Sequence, residues 1–315
     1  MSNTSAEKPQ LSIVIPLLNE QESLRELYSS VDKALKKHYS YEIIFVDDGS
    51  TDESWNIIRE MASEYPEVRG LKFRRNYGKS AALQKGFEQT RGDYIVTLDA
   101  DLQDDPAEIP DMIMMLQNDY DLVSGWKKKR YDPISKTIPS KLFNFGTYLV
   151  TGIRLHDFNC GLKAYRREVI ESIYLYGEMH RYVPLLANWE GFGRIGEKVV
   201  HHHPRKYGHT KFGASRGMKG FLDLVSLMFI NKFVQRPMHF FGSIGSVSLL
   251  VGGGITLYLT VMRLFFHEYL TNRPLFLFGI MLLLLGVQFF SIGFLGELII
   301  KHKGEEKKIN IKDIV

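Results

Sequence analysis

The stretch "YEIIFVDDGSTD", residues 41–52, runs from a strand through an acidic turn into a helix start. Tyr41 to Val46, apolar but for Glu42, reads as a strand. It ends on Asp47, Asp48 and Gly49. Ser50-Thr-Asp-Glu53 has the spacing of a capping box, opening a helix through Trp55, Ile58 and Met61. Working outward, Leu11 to Ile15 reads as a strand ending at Pro16. Glu20 to His38 is helical through Leu24, Leu27, Val31 and Leu35. Val68 to Phe73 is a third strand, Gly78 to Thr90 a third helix, and Tyr94 to Leu98 a fourth strand. Strands alternating with helices predict an α/β fold, a mostly parallel sheet with helices on both faces.

In such sheets ligands bind beyond the carboxyl ends of the strands. Acids stand at those ends: Asp47 and Asp48 after the second strand, Asp99 and Asp101 after the fourth. If residues 99–103 are extended, alternation sends Asp99 and Asp101 to one side, with Gln103 as a further oxygen donor. Oxygen ligands suit a hard divalent cation, Mg²⁺ or Mn²⁺, shared with substrate phosphates. Asp104 and Asp105 precede a helix start at Pro106. They either favour that helix electrostatically or guard the ligand pocket. Gly78-Lys79-Ser80 resembles the tail of a P-loop, but Phe73 stands where the pattern needs glycine, and no GxGxxG follows the first strand. His201-His-His203 is a poor metal site, because a strand sends at most two of the three to one face.

The chain has 315 residues and a net charge of +4, with one cysteine, Cys160, which excludes an internal disulfide. The polar segment Met1 to Gln10 gives no signal peptide and is expected to be disordered. Phe240 to Met262 and Leu275 to Ile300 are apolar and long enough to cross a bilayer as helices. Lys219, Lys232 and Arg236 precede them and Lys301, Lys303, Lys307 and Lys308 follow. That bias puts the large domain and both termini on the cytoplasmic side of an inner or plasma membrane. The expected organisation is a soluble domain at 11–215, an amphipathic juxtamembrane helix at 216–236, a transmembrane hairpin at 237–301 (spans about 240–262 and 275–300) and a cytoplasmic tail at 302–315. A second interfacial segment, Ile138 to Ile153, is also amphipathic. Gly242, Gly245, Gly252, Gly253 and Gly254 would permit close helix packing, including in a homo-oligomer. Nothing in the pattern asks for a nucleic-acid partner.

Ile13-Val-Ile-Pro16 with Asn19-Glu20, Val46-Asp-Asp-Gly-Ser-Thr-Asp52, Asn76-Tyr-Gly-Lys79 and Asp99-Ala-Asp101-Leu-Gln103 together resemble a family-2 glycosyltransferase of the GT-A fold. Asp104-Asp-Pro106, Leu155-His-Asp-Phe-Asn-Cys-Gly-Leu-Lys-Ala-Tyr-Arg166 and Tyr207-Gly-His-Thr-Lys211 narrow the resemblance to polyisoprenyl-phosphate glycosyltransferases of the dolichyl-phosphate mannose synthase and GtrB kind. The resemblance implies a Rossmann-like sheet domain followed by interface helices and two membrane helices. It implies that Pro16, Asn19, Glu20, Asp47 and Asp48 hold the nucleotide, with Lys79, Asp99, Ala100 and Asp101 completing the donor site. Leu18 stands where many relatives have an aromatic. Asp99, Asp101 and Gln103 would bind Mg²⁺ or Mn²⁺, and Asp157, with Asp101, would be catalytic. Lys127, Arg130, Arg205 and Lys211 would hold the acceptor phosphate. The activity implied is inverting transfer of a hexose, glucose from UDP-glucose as first choice, to undecaprenyl phosphate. Other donors are UDP-N-acetylglucosamine, a UDP-aminoarabinose derivative and GDP-mannose. A polymerising enzyme is disfavoured because no QxxRW motif is present, and a dead scaffold because the Asp99 and Asp157 motifs are intact.

Overall fold

The computed structural model describes residues 8–128, 153, 155–204, 206–207, 237–266, 274–301 and 311–314. Of residues 1–10, expected to be disordered, 1–7 lie outside the described residues, while Gln10 N donates to Ser40 O at 2.9 Å; both amphipathic segments, 138–153 and 216–236, also lie outside them, except Ile153. The chain divides into two compact units, residues 1–218 with 309–315, and residues 219–308.

In the first unit, the expected alternation is present. β1 (Leu11–Leu17), β2 (Tyr41–Asp47) and β3 (Val68–Phe73) are separated by α1 (Leu24–Leu35) and α2 (Ser54–Glu64); α3 (Lys79–Phe87) leads to β4 (Tyr94–Thr97). β1 pairs in parallel with β2 and β4, and β2 with β3. β1 runs two residues past its expected end and includes Pro16. The ladder with β4 stops at Val14, so the imide nitrogen sits where the strand has lost one neighbour. Leu11, Ile13, Ile15 and Leu17 pack in one core with Leu24, Leu27 and Val31 of α1 and with Trp55, Ile58 and Met61 of α2. Val14 points to the other face, where α3 lies so close that a Cβ on Gly86 would come 2.4 Å from Val14 Cγ1. Helices therefore cover both faces.

The capping box is not formed. Ser50 Oγ instead accepts from Asn19 N, and Asp52 Oδ1 accepts from Ser54 N at 3.0 Å to start α2. The turn after β2 is tied to the turn after β1, which takes Ser50 from the helix.

Beyond α4 (Ile109–Asn118), the sheet continues with β5 (Leu122–Trp126), β6 (Lys163–Arg166) and β7 (Ile195–Val199), past α5 (Arg167–Ser172) and α6 (Val183–Trp189). β6 is antiparallel to both β4 and β5. Residues 311–314 form a last strand, β8, antiparallel to β3, so the tail expected at 302–315 ends as an edge strand of the sheet. The strand order is β7-β5-β6-β4-β1-β2-β3-β8.

The second unit holds α7 (Pro237–Phe266) and α8 (Pro274–Lys301), of 30 and 28 residues. At 1.5 Å per residue each is more than 40 Å long, enough for about 30 Å of hydrocarbon. Leu250, Leu257, Phe265, Leu277, Phe294 and Ile299 point outward, an apolar surface that suits lipid. Glycines from both helices make the contact: a Cβ on Gly252 would meet Gly279 O at 2.8 Å, and one on Gly245 would meet Gly286 O at 2.9 Å. Close backbone approach through small residues is how helices associate in lipid. Gly254 faces nothing within 4 Å.

Candidate active site

The order β4-β1-β2 puts β1 between the two acidic strand ends, at the point where the strand order reverses and such sheets open a crevice. Asn19 follows β1 with φ 53°, a left-handed geometry that asparagine tolerates. Its Oδ1 accepts from Thr51 N at 2.8 Å. Glu20 N donates to Ser54 Oγ at 3.0 Å.

Asp47 and Asp48 are buried. Asp47 Oδ1 accepts from Ser50 N at 2.7 Å, and Lys72 Nζ lies 3.7 Å from its other oxygen. Asp48 accepts from Tyr77 N at 2.7 Å and Gly78 N at 2.9 Å, holding the turn that leads into α3. Burial pushes the Asp48 carboxyl up, against those two hydrogen bonds. A Cβ on Gly49 would meet Arg75 C at 2.6 Å, and its φ of 80° suits glycine. The acid pair thus fixes the shape of the crevice wall.

The extended geometry expected for residues 99–103 is not found. β4 ends at Thr97, and the chain turns over Ala100 to Leu102, with Leu102 at φ 59°. The ladder with β6 ends at the Thr97–Lys163 pair, and Leu98 N still donates to Val14 O at 3.2 Å, so the chain turns only beyond that bond. Asp99 and Asp101 are both partly exposed on this turn. Asp101 Oδ1 accepts from Gln103 N at 3.2 Å. The Gln103 side-chain nitrogen faces His202 and His203 O.

Asp99 Oδ1 takes an ion pair from Lys79 at 2.5 Å. Burial raises the Asp99 carboxyl, but Lys79, Lys127 and Lys163 outweigh it and hold it at about 2. Gly161 presses on the same carboxylate: a Cβ there would lie 2.4 Å from Asp99 Oδ2. Thr97 Oγ1 donates to Gly161 O at 2.8 Å. The loop carrying Asp157 is thereby locked onto the turn carrying Asp99.

Asp157 is almost fully buried, and its Oδ1 accepts from Asn159 N at 3.1 Å. Lys163, on β6, is buried beneath both motifs and donates to Cys160 O. Burial lowers its pKa, while Asp157 and Asp99 act to raise it. Cys160 is buried and unreactive, its thiol pushed up to about 12 by burial and Asp104.

Asp104, Asp105 and the histidine tract explain one another. Asp104 is buried, with Lys127 Nζ at 2.7 Å and His202 Nδ1 at 4.0 Å. His201 Nδ1 meets Glu108 Oε1 at 2.6 Å, and His203 Nε2 meets Asp105 Oδ2 at 3.3 Å. Each histidine faces its own acid, as expected of side chains that diverge along an extended segment. Asp105 also accepts from Ala107 N at 2.9 Å, capping the helical turn at Pro106. Lys127 is thus engaged with Asp104, which raises its pKa against the effect of burial. Arg130, Arg205 and Lys211 lie outside the described residues.

Trp126, Lys163, His180 and Glu197 join the site without having been expected. The one available signal was a buried lysine, Lys163, at the head of β6. His180 meets Ser80 Oγ at 3.0 Å at the start of α3, a pairing across the chain that no local pattern announces. Burial holds its pKa well below the ordinary value.

Among the described residues, no group of three His, Cys, Asp or Glu side chains converges as a metal cage. Asp99, ionised at neutral pH and paired with Lys79, and Asp101 are hard oxygen donors two residues apart on one turn. That fits a cation completed by a ligand's phosphates and water, as magnesium usually is.

The family model described as glycosyl transferase family 2 matches residues 12–174. Dodecaprenyl-phosphate galacturonate synthase of Rhizobium johnstonii is 39% identical over 303 residues, covering 95% of this chain and 90% of that protein. Undecaprenyl-phosphate 4-deoxy-4-formamido-L-arabinose transferase of Pseudomonas fluorescens is 39% identical over 291 residues, covering 91% and 83%. Among solved structures, glucosyl-3-phosphoglycerate synthase from Mycobacterium tuberculosis, in complex with Mn²⁺, UDP-glucose and phosphoglyceric acid, matches with a TM-score of 0.53. It is 21% identical and covers 70% of this chain and 80% of that one, a likeness of fold.

Proposed function

The chain belongs to glycosyl transferase family 2, and on that premise we propose that it transfers a sugar from a nucleotide-sugar to a polyprenyl phosphate at the cytoplasmic face of a membrane. The observation that carries the reading is the contact of Gly161 with Asp99, which joins the acidic turn to the loop bearing Asp157. The relatives' names supply the acceptor class. The two apolar helices supply the membrane. β8 follows those helices and belongs to the same sheet as β1 to β7, consistent with two spans that leave from and return to one side.

In this reading Pro16, Asn19, Glu20, Asp47 and Asp48 line the nucleotide side, and Lys79, Asp99, Ala100 and Asp101 the diphosphate. Asp99 and Asp101, with Gln103 near them, would hold Mg²⁺ or Mn²⁺, which when bound supplies a Lewis acid for the leaving diphosphate. The acceptor phosphate oxygen attacks the anomeric carbon in line, the bond to the nucleoside diphosphate breaks, and configuration inverts. With a second pKa of about 6, the phosphate is largely anionic at neutral pH. Asp157 therefore orients the reactants more than it removes a proton. Arg130, Arg205 and Lys211 receive the acceptor phosphate. The relatives' sugars move the donor preference from glucose toward galacturonate or a formamido-arabinose.

Full-length protein in detergent, given undecaprenyl phosphate and Mn²⁺, is offered UDP-glucose, UDP-galacturonate, UDP-4-deoxy-4-formamido-arabinose, UDP-N-acetylglucosamine and GDP-mannose in turn. One or two should yield product, and Asp101→Ala should abolish it and weaken metal-dependent donor binding. Unchanged turnover in Asp101→Ala would contradict the metal and donor assignment.

A further inference from the structure

Residues 155–162 lie in neither helix nor strand, so their backbone N–H groups have no ladder to enter. Glu197 supplies the missing acceptor. Its Oε1 accepts from His156 N at 2.8 Å and from Asp157 N at 3.1 Å, while Oε2 meets His156 Nδ1 at 2.7 Å. Trp126 stacks on the same imidazole, with ring centres 4.0 Å apart and planes 14° from parallel. Trp126 and Glu197 stand on adjacent parallel strands, β5 and β7, where Ser124 pairs with Glu197 and Trp126 with Val199. The clamp is therefore built on the sheet and not on a loop.

We propose that Glu197 is a positioning residue for Asp157: one carboxylate on β7 holds the backbone N–H groups of His156 and Asp157 and, with Trp126, the ring of His156. This rests on the reading of Asp157 as part of the reacting site. Charge-assisted hydrogen bonds of this kind are short and directional, and a site held from rigid strands keeps its geometry. The role requires an acceptor oxygen at residue 197, and glutamine retains one.

The test is steady-state transfer by the full chain in detergent, with Mn²⁺, undecaprenyl phosphate and the donor found active. Glu197→Ala should lower kcat by roughly 10²-fold, the loss expected for about 1 Å of misplacement, with donor KM within about 3-fold. Glu197→Gln should keep kcat within about 5-fold, since its amide oxygen still serves both N–H groups. Wild-type kcat in Glu197→Ala, or equal losses in the Ala and Gln variants, would overturn the inference. If Glu197→Ala does not accumulate folded, Glu197→Asp withdraws the carboxylate by one methylene. It should lose on the order of 10-fold in kcat, and full kcat would overturn the role. Asp157→Asn separates the two readings. If it stays fully active, Asp157 itself is not in the reacting site. If it is inactive while Glu197→Ala is unaffected, only the positioning role falls.

Discussion

Gly161→Ala is the most incisive single change, because it adds one methyl group where two motifs meet. The new Cβ would stand 2.4 Å from Asp99 Oδ2 and 2.5 Å from Asp99 Cγ, whereas ordinary contact begins at 3.4 Å. The carboxylate must therefore retreat by about 1 Å, enough at a reacting centre to cost roughly 10²-fold in rate. Asp99 cannot yield freely, since Lys79 holds its other oxygen at 2.5 Å. Gly161 is not among the glycines with positive φ, so alanine meets no backbone penalty there. Overpacking should cost about 1–3 kcal/mol of stability, leaving a folded enzyme. The assay is transfer rate in detergent across a Mn²⁺ titration, with Gly254→Ala as control because nothing lies within 4 Å of that position. The expected result is a variant with normal expression, a rate near 1% of wild type and a raised Mn²⁺ requirement. Wild-type rate and metal dependence in Gly161→Ala would refute the claim that this loop and the acidic turn form one site.

Lys127→Ala strands the buried Asp104 without its cation and should destabilise the protein by about 3 kcal/mol. Adding Asp104→Asn should restore most of the loss in thermal denaturation, and a double variant no better than the single would deny the pairing. For Asp99, the folded pKa of about 2 lies below the ordinary 3.8, so its ion pairing stabilises the fold fully above about pH 4 and fades as pH falls through 2. Wild type should therefore exceed Lys79→Met in stability near neutral pH, with the gap closing on acidification; a gap independent of pH would contradict this. Gly252→Ile should weaken the packing of α7 on α8, since even a Cβ there would meet Gly279 O at 2.8 Å. Cysteines placed at facing positions of the two helices should then cross-link more slowly than in the Gly252 parent, and an unchanged rate would argue against glycine-mediated packing.

Much of the first half was legible because each element there announces itself locally. "YEIIFV" is apolar but for Glu42, whose buried carboxylate is met by Arg69 and Arg91, and Asp47, Asp48, Asp99 and Asp101 fall at or just past strand ends. What the sequence concealed depends on long-range pairing. β6 is four residues long and carries Lys163, and β8 is added after two membrane-length helices, so neither shows a strand's usual signature. The capping box failed because Ser50 was taken by Asn19, a partner 31 residues away. Alternation was the wrong geometry for Asp99 and Asp101, since the β6 ladder ends at Thr97 and the chain turns beyond Leu98. Asp104 and Asp105 carry no local signature because the histidines that face them stand nearly a hundred residues further along the chain.

The central claim is that the acceptor is a polyprenyl phosphate, and the direct measurement is acceptor-dependent partition of label. Purified full-length protein is incubated with the active radiolabelled nucleotide-sugar and Mn²⁺, with and without undecaprenyl phosphate, and extracted into organic solvent. The account predicts label in the organic phase only when the lipid phosphate is present, and none with Asp101→Ala. Label that stays aqueous with the lipid present, or accumulates in a polymer without it, would contradict the account.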